Sequence, residues 1–225
     1  MKRFILAACA GLLALAMASP SFAADLPRPA YKAPIYVAPF SWSGFYIGLN
    51  GGYGWGDSDW SSAATAGNAK PKGGLIGGTI GYNFQTGVWV WGIEGDFDYS
   101  WMKGTDSGGT GVCTGVGCET KNTWFGTARG RVGYSFDRWM PYITGGAAFA
   151  NVKMTPNTGG SETDNRFGWT AGAGLEYAFA GGWSAKVEYL YADLGKANCS
   201  AATCGVSTDV SFKPNIVRVG VNYRF

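Results

Sequence analysis

The chain has 225 residues, of which 16% are aromatic and 15% charged, with 37 glycines and no histidine. Soluble domains average about 25% charged residues, so this chain is poor in charge. Its mean hydropathy of −0.02 excludes a bundle of membrane helices, and 46% hydrophobic content argues against a disordered chain. The lack of histidine removes His-based catalytic triads and His-ligated metal sites together.

Residues 1–23 read as a secretory signal peptide: Lys2 and Arg3 start it, Phe4–Met17 is apolar, and Ser21-Phe22-Ala23 offers a small-x-small cleavage site. Leu6-Ala7-Ala8-Cys9 has the letters of a lipoprotein box, but the apolar run continues well past Cys9. Without Lys2 and Arg3 the basic count falls from 18 to 18 − 2 = 16, against 15 acids. A net charge of +1 gives no footprint for nucleic acid.

Export leaves two equally spaced cysteine pairs, Cys113-x4-Cys118 and Cys199-x4-Cys204. An oxidising compartment and an even count favour disulfides, and four cysteines can pair in three ways. Local closure is the simplest pairing, each small ring contributing at most about 2 kcal/mol. The spacing is not that of a zinc site. No cofactor is expected.

Residues 24–43 open with Pro27, Pro29, Pro34 and Pro39 and read as a semi-rigid, polyproline-like arm in the periplasm. From Gly44 the period becomes two. Phe45–Trp55 sets Phe45, Ile47, Leu49, Tyr53 and Trp55 against Tyr46, Gly48, Asn50 and Gly52. Gly74–Gln85, Val88–Trp101, Thr123–Phe136, Phe167–Phe179, Trp183–Ala192 and Asn215–Phe225 repeat the pattern. Pro141–Met154 is counted as a strand by position, because both of its faces are small or mixed and its facing stays open. That makes eight strands. Tight turns at 85–87, 137–140 and 180–182 alternate with longer polar segments at 56–72, 102–122, 155–166 and 194–211. Strands of ten or more residues can cross a bilayer, which takes about 9–11. The expected fold is therefore an all-β, eight-stranded antiparallel up-and-down transmembrane barrel over residues 44–225, with four long loops at one end.

The two faces choose the membrane over water. The apolar face carries Trp or Tyr near strand ends, at positions 55, 89, 101, 124, 134, 169 and 183, where interfacial belts sit. The opposite face carries Glu94, Asp96, Asp98, Glu176 and Glu188 with Arg129, Arg131, Lys186, Arg218 and Arg224. Five acids and five bases cancel, and buried charges persist only when paired. This predicts an ion-paired interior. A soluble lipocalin-like cup would need all that charge outside and the aromatics inside.

Phe40-Ser41-Trp42-Ser43-Gly44-Phe45-Tyr46-Ile47-Gly48, the start Ala24-Asp25-Leu26-Pro27 and the end Val219-Gly220-Val221-Asn222-Tyr223-Arg224-Phe225 resemble the outer-membrane immunogenic proteins of Gram-negative bacteria. These are opacity-type, porin-like eight-stranded barrels. The resemblance implies an outer-membrane location among outer-membrane lipids. It also implies a C-terminal assembly signal, matched by Val221, Tyr223 and Phe225, for the outer-membrane insertion machinery. Family members are surface antigens, so the implied role is a structural envelope protein whose loops meet host or surface ligands.

A narrow small-solute porin is the alternative, since eight strands leave an interior just wide enough for side chains. An enzyme would have to work from Glu94, Asp96 and Asp98 without a histidine base, and ion pairing with Arg129 and Arg131 accounts for them better. Haem has no histidine to ligate its iron. Gly172-Ala173-Gly174 precedes no helical pattern, so nucleotide binding is rejected.

Overall fold

The computed structural model describes residues 40–61, 66–106, 118–155, 161–199 and 208–225. The expected signal peptide, most of the proline-rich arm, Cys113 and Cys204 lie outside the described residues. Eleven strands form one antiparallel sheet: β1 (Gly44–Ser61), β2 (Ala66–Ala69), β3 (Lys72–Thr86), β4 (Trp89–Ser100), β5 (Lys103–Asp106), β6 (Cys118–Tyr134), β7 (Trp139–Thr155), β8 (Glu162–Ala178), β9 (Trp183–Asp193), β10 (Lys196–Cys199) and β11 (Thr208–Arg224). The long ones are β1, β3, β4, β6, β7, β8, β9 and β11. Each pairs with the next, and β11 pairs with β1 from Tyr46↔Arg224 to Ser61↔Asp209. The eight long strands close as a barrel, so the part that crosses lipid has no open edge.

At one end the turns are tight. Gly87 and Gly181 take φ of 62° and 73°, and Asp137 takes 55°, a left-handed conformation that glycine adopts freely and Asp tolerates. At the other end the sheet runs further than expected. Residues 57–61, 118–122, 162–166 and 208–214, read above as loop or left unassigned, are strand, and β2, β5 and β10 extend the wall there. The alternation in these stretches is real but reversed in sign. On β1, Asp57 and Asp59 point out while Ser58 and Trp60 are buried. On β11, Lys213 points out while Val210, Phe212 and Ile216 are buried. Beyond the lipid the outer face meets water, so polar groups move outside and apolar ones fill the interior.

β6 changes face to match. Its register to β7 shifts between Asn122 and Trp124, a bulge that spends Thr123 without reversing the strand. Below it, Phe125, Thr127, Arg129 and Arg131 point in; above it, Thr120 and Asn122 do. Without the extra residue Glu119 and Lys121 would point inward, because a one-residue slip swaps every side chain.

β7, whose facing the pattern left open, buries Met140, Tyr142, Thr144, Ala148, Ala150, Val152 and Met154. Its outer face carries Trp139, Ile143 and Phe149. Both faces are apolar or small because this strand contributes no charge to the middle of the barrel and much of the apolar filling above it.

Candidate functional site

The interior is stacked in three layers. At the turn end the chain entering β1 folds across the mouth. Trp42 is buried with Val90, Met140, Tyr142 and Ala178, and Phe40 packs edge-on against it at 5.2 Å. The Trp42 indole N–H donates to the Asp137 carbonyl at 3.2 Å, and its backbone N–H donates to Gln85 Oε1 at 2.7 Å. The cleft left beside Trp42, Tyr46 and Arg224 holds about 10 Å³, room for about one water.

The middle layer is ionic. Arg129, on β6, donates to Glu94 Oε1 at 2.5 Å, to Asp96 Oδ2 at 3.0 Å and to Glu188 Oε2 at 3.1 Å. Arg131 meets Glu176 at 2.9 Å and Glu94 at 3.4 Å, and its Nε donates to Asn83 at 3.1 Å. Lys186 Nζ reaches Glu94 at 2.9 Å. Arg218, on β11, meets Glu188 at 2.7 Å and Asp98 at 3.1 Å, and also contacts Asp96. All nine charged side chains are buried, as is Asn83.

Hydroxyls and amides complete the layer. The Tyr46 hydroxyl donates to Glu94 at 2.7 Å and the Tyr142 hydroxyl to Glu188 at 3.0 Å. Ser184 and Asn222 donate to Glu176 at 2.5 and 2.9 Å, and Thr127 donates to Asp96. The Arg131 guanidinium lies between two rings, 5.1 Å from the Tyr46 centroid and 4.9 Å from that of Tyr142. A desolvated cation over an aromatic face is worth about 2 kcal/mol.

The expected face-to-face pairing of the third and fourth long strands covers only part of this. Glu94 opposes Arg129 in register, but Asp98 crosses the lumen to Arg218 on the last strand. The expected tally of five against five also changes. Arg224 stands over the Phe40 ring at 4.6 Å, at the turn end, and takes part in none of the described ion pairs. Four cations, Arg129, Arg131, Lys186 and Arg218, therefore meet five carboxylates. Tyr46, Tyr142, Asn83, Ser184 and Asn222 were not singled out as members of the layer, although all but Tyr142 follow from the inward phase of their strands. Among the described residues no cluster of metal-ligating side chains is arranged for an ion.

The third layer, at the long-loop end, is an apolar core. It includes Trp60, Met102, Phe125, Val152, Met154, Leu190, Leu194, Phe212 and Ile216.

Outside, the aromatics form two belts. Trp89–Tyr134, Trp139–Tyr177 and Trp183–Tyr223 lie toward the turns at centroid distances of 5.4, 4.5 and 5.1 Å. Phe97–Trp124, Tyr99–Trp101 and Trp169–Tyr191 lie toward the long loops at 5.6, 4.9 and 5.5 Å. Between them the surface is apolar and unpaired by protein, with Leu49, Ile80, Ile93 and Val219 exposed. Val221, Tyr223 and Phe225 lie on this outer face at the closing seam, where the Phe225 N–H donates to the Phe45 carbonyl at 3.0 Å.

A polar interior inside an apolar, aromatic-girdled wall is the build of a membrane-spanning barrel. The family model of the outer membrane protein beta-barrel domain matches residues 7–225. The chain belongs to that family. It is 39% identical over 250 residues to the 31 kDa outer-membrane immunogenic protein of Brucella melitensis, covering 100% of both chains. It is 37% identical over 214 residues to the 25 kDa outer-membrane immunogenic protein of Brucella abortus, covering 94% of this chain and 93% of the relative. Among solved structures, the outer membrane protein OprG from Pseudomonas aeruginosa superposes with a TM-score of 0.56 at 16% identity, over 81% of this chain and 96% of that one. That last likeness is one of fold. As a member of this outer-membrane family, the protein resides in the bacterial outer membrane.

Proposed function

We propose that this protein is a non-enzymatic envelope component: a sealed barrel that anchors in the outer membrane and presents its four long loops at the cell surface as an antigen. The observation that carries the reading is the filled lumen. Trp42 covers one mouth, an ionic layer with its cations committed to carboxylates spans the middle, and an apolar core occupies the other end. Solute would have to break buried ion pairs to pass, and uncompensated buried charge is expensive. The same commitment leaves Glu94, Asp96 and Asp98 without the free geometry of a general base. The relatives' description as immunogenic proteins supports the surface role.

Export through residues 1–23, a periplasmic arm before Phe40, disulfides among Cys113, Cys118, Cys199 and Cys204, and an assembly signal at Val221, Tyr223 and Phe225 belong to this proposal. The test is single-channel conductance of the refolded mature protein in a planar bilayer, with folding verified by heat-modifiable gel mobility. The folded wild type is expected to be silent. Stable, reproducible steps would sink the sealed lumen and make the narrow porin the function.

A further inference from the structure

The strand register brings four lysines together outside the wall. Lys72 on β3 is the direct cross-strand partner of Lys103 on β5, Lys103 of Lys121 on β6, and Lys121 of Lys153 on β7. All four are exposed on the outer face. Adjacent strands lie about 4.8 Å apart, so the row is about 14 Å wide. It ends at Trp55, opposite Lys72, and at Thr163, opposite Lys153.

Directly opposed like charges destabilise a sheet, and here three such pairs run in succession. Among the described residues, none of the four lysines takes part in an ion pair. The only outward-facing carboxylate on the described parts of these four strands is Glu119, two residues further out on β6. Elsewhere at this end Lys213 pairs with Asp193, Lys196 with Asp209 and Arg166 with Asp164.

The row also has a defined height. Lys103 follows Trp101 by two residues and Lys72 opposes Trp55, both members of the loop-end aromatic belt. Two residues of strand rise about 7 Å. Indole rings settle at the headgroup boundary, which puts the ammonium groups among the lipid headgroups rather than in open water.

We propose that Lys72, Lys103, Lys121 and Lys153 form a docking row for anionic lipid headgroups in the leaflet bordering the long-loop end. The bulge at Thr123 is part of the device, because it turns Lys121 outward into line. The row needs only the barrel's seat in a bilayer and is independent of whether the lumen is sealed.

The experiment reconstitutes the mature protein in phosphatidylcholine vesicles and measures, by spin resonance, retention of spin-labelled phosphatidylglycerol against spin-labelled phosphatidylcholine. The wild type is expected to prefer the anionic probe about three- to fivefold at low salt, with the preference falling as salt screens it. K103Q/K121Q should bring the ratio to within about 1.5-fold of unity. K196Q/K213Q removes the same charge from paired positions and should leave the preference intact. An equal loss in both variants would reduce the effect to net charge, and no preference in the wild type would remove the row; either overturns the proposal. Gel mobility confirms that each variant is folded.

Discussion

The barrel's membrane belt and its extension toward the long loops share strands, closure and register, yet their side-chain logic is opposite. In the belt, charge points in and apolar groups point out; in the extension, Trp60, Val210 and Phe212 fill the interior while Asp57, Asp59 and Lys213 face outward. The difference is set by the solvent outside the wall. Lipid takes apolar side chains at no cost and rejects charge, so the belt's polar groups must satisfy one another inside. Water reverses both preferences. One chain passes through both regimes on a single strand, and the change of sign marks where the bilayer ends.

The comparison is broken most severely inside the belt. Arg218 holds Asp96, Asp98 and Glu188 together. Arg218→Met would leave those carboxylates buried with too few cations, at a cost of about 3–5 kcal/mol. Urea unfolding of the refolded barrel in lipid vesicles should show that loss against wild type. A change below about 1 kcal/mol would mean that water enters the layer freely.

A second substitution tests the wall from outside. Ile80 and Lys72 lie on the same outward face of β3, one in the belt and one beyond it. Ile80→Lys should cost about 2–4 kcal/mol, the depth-dependent penalty near the bilayer midplane. Lys72→Ile should move stability by less than about 0.5 kcal/mol, as surface substitutions do. The same unfolding assay reads both, and equal effects would put the bilayer boundary in the wrong place.

How much of this was legible before the structure follows from the same contrast. Strands in the belt announce themselves because large aromatics alternate with Gly, Thr and charge, as in Phe45–Trp55. The extension is quieter. Residues 56–61 alternate Gly, Ser and Trp inward with Asp and Ser outward, and small polar residues on both faces read as loop. β7 hides its phase for the related reason that its inner face is itself apolar. The Glu94–Arg129 pair could be anticipated from neighbouring strands. The Asp98–Arg218 pair spans 120 residues and meets only once the barrel closes, a stagger that no local pattern encodes. The bulge at Thr123 has no signature either, since neither Gly nor Pro marks it.

The same contrast can be drawn on one pair of strands. Lys213 on β11 reaches Asp193 on β9 at 3.8 Å, with their side chains 48% and 24% exposed. Arg218, five residues along β11, reaches Glu188 on β9 at 2.7 Å, with exposures of 1% and 0%. The two pairs share backbone, charge type and strand neighbours, and differ in what surrounds them. Lys213→Met should cost about 0–1 kcal/mol, most of it lost when salt is raised, because an exposed pair gains little over hydration and is screened. The penalty of Arg218→Met should persist in salt, because no counterion reaches an enclosed layer. Unfolding free energies for both variants at low salt and at 0.5 M, roughly the ionic strength where screening shortens to a few ångströms, would separate the two. Parallel salt dependence would show that the ionic layer is wet, and the lumen would then be open to ions along the path that the ion pairs were inferred to block.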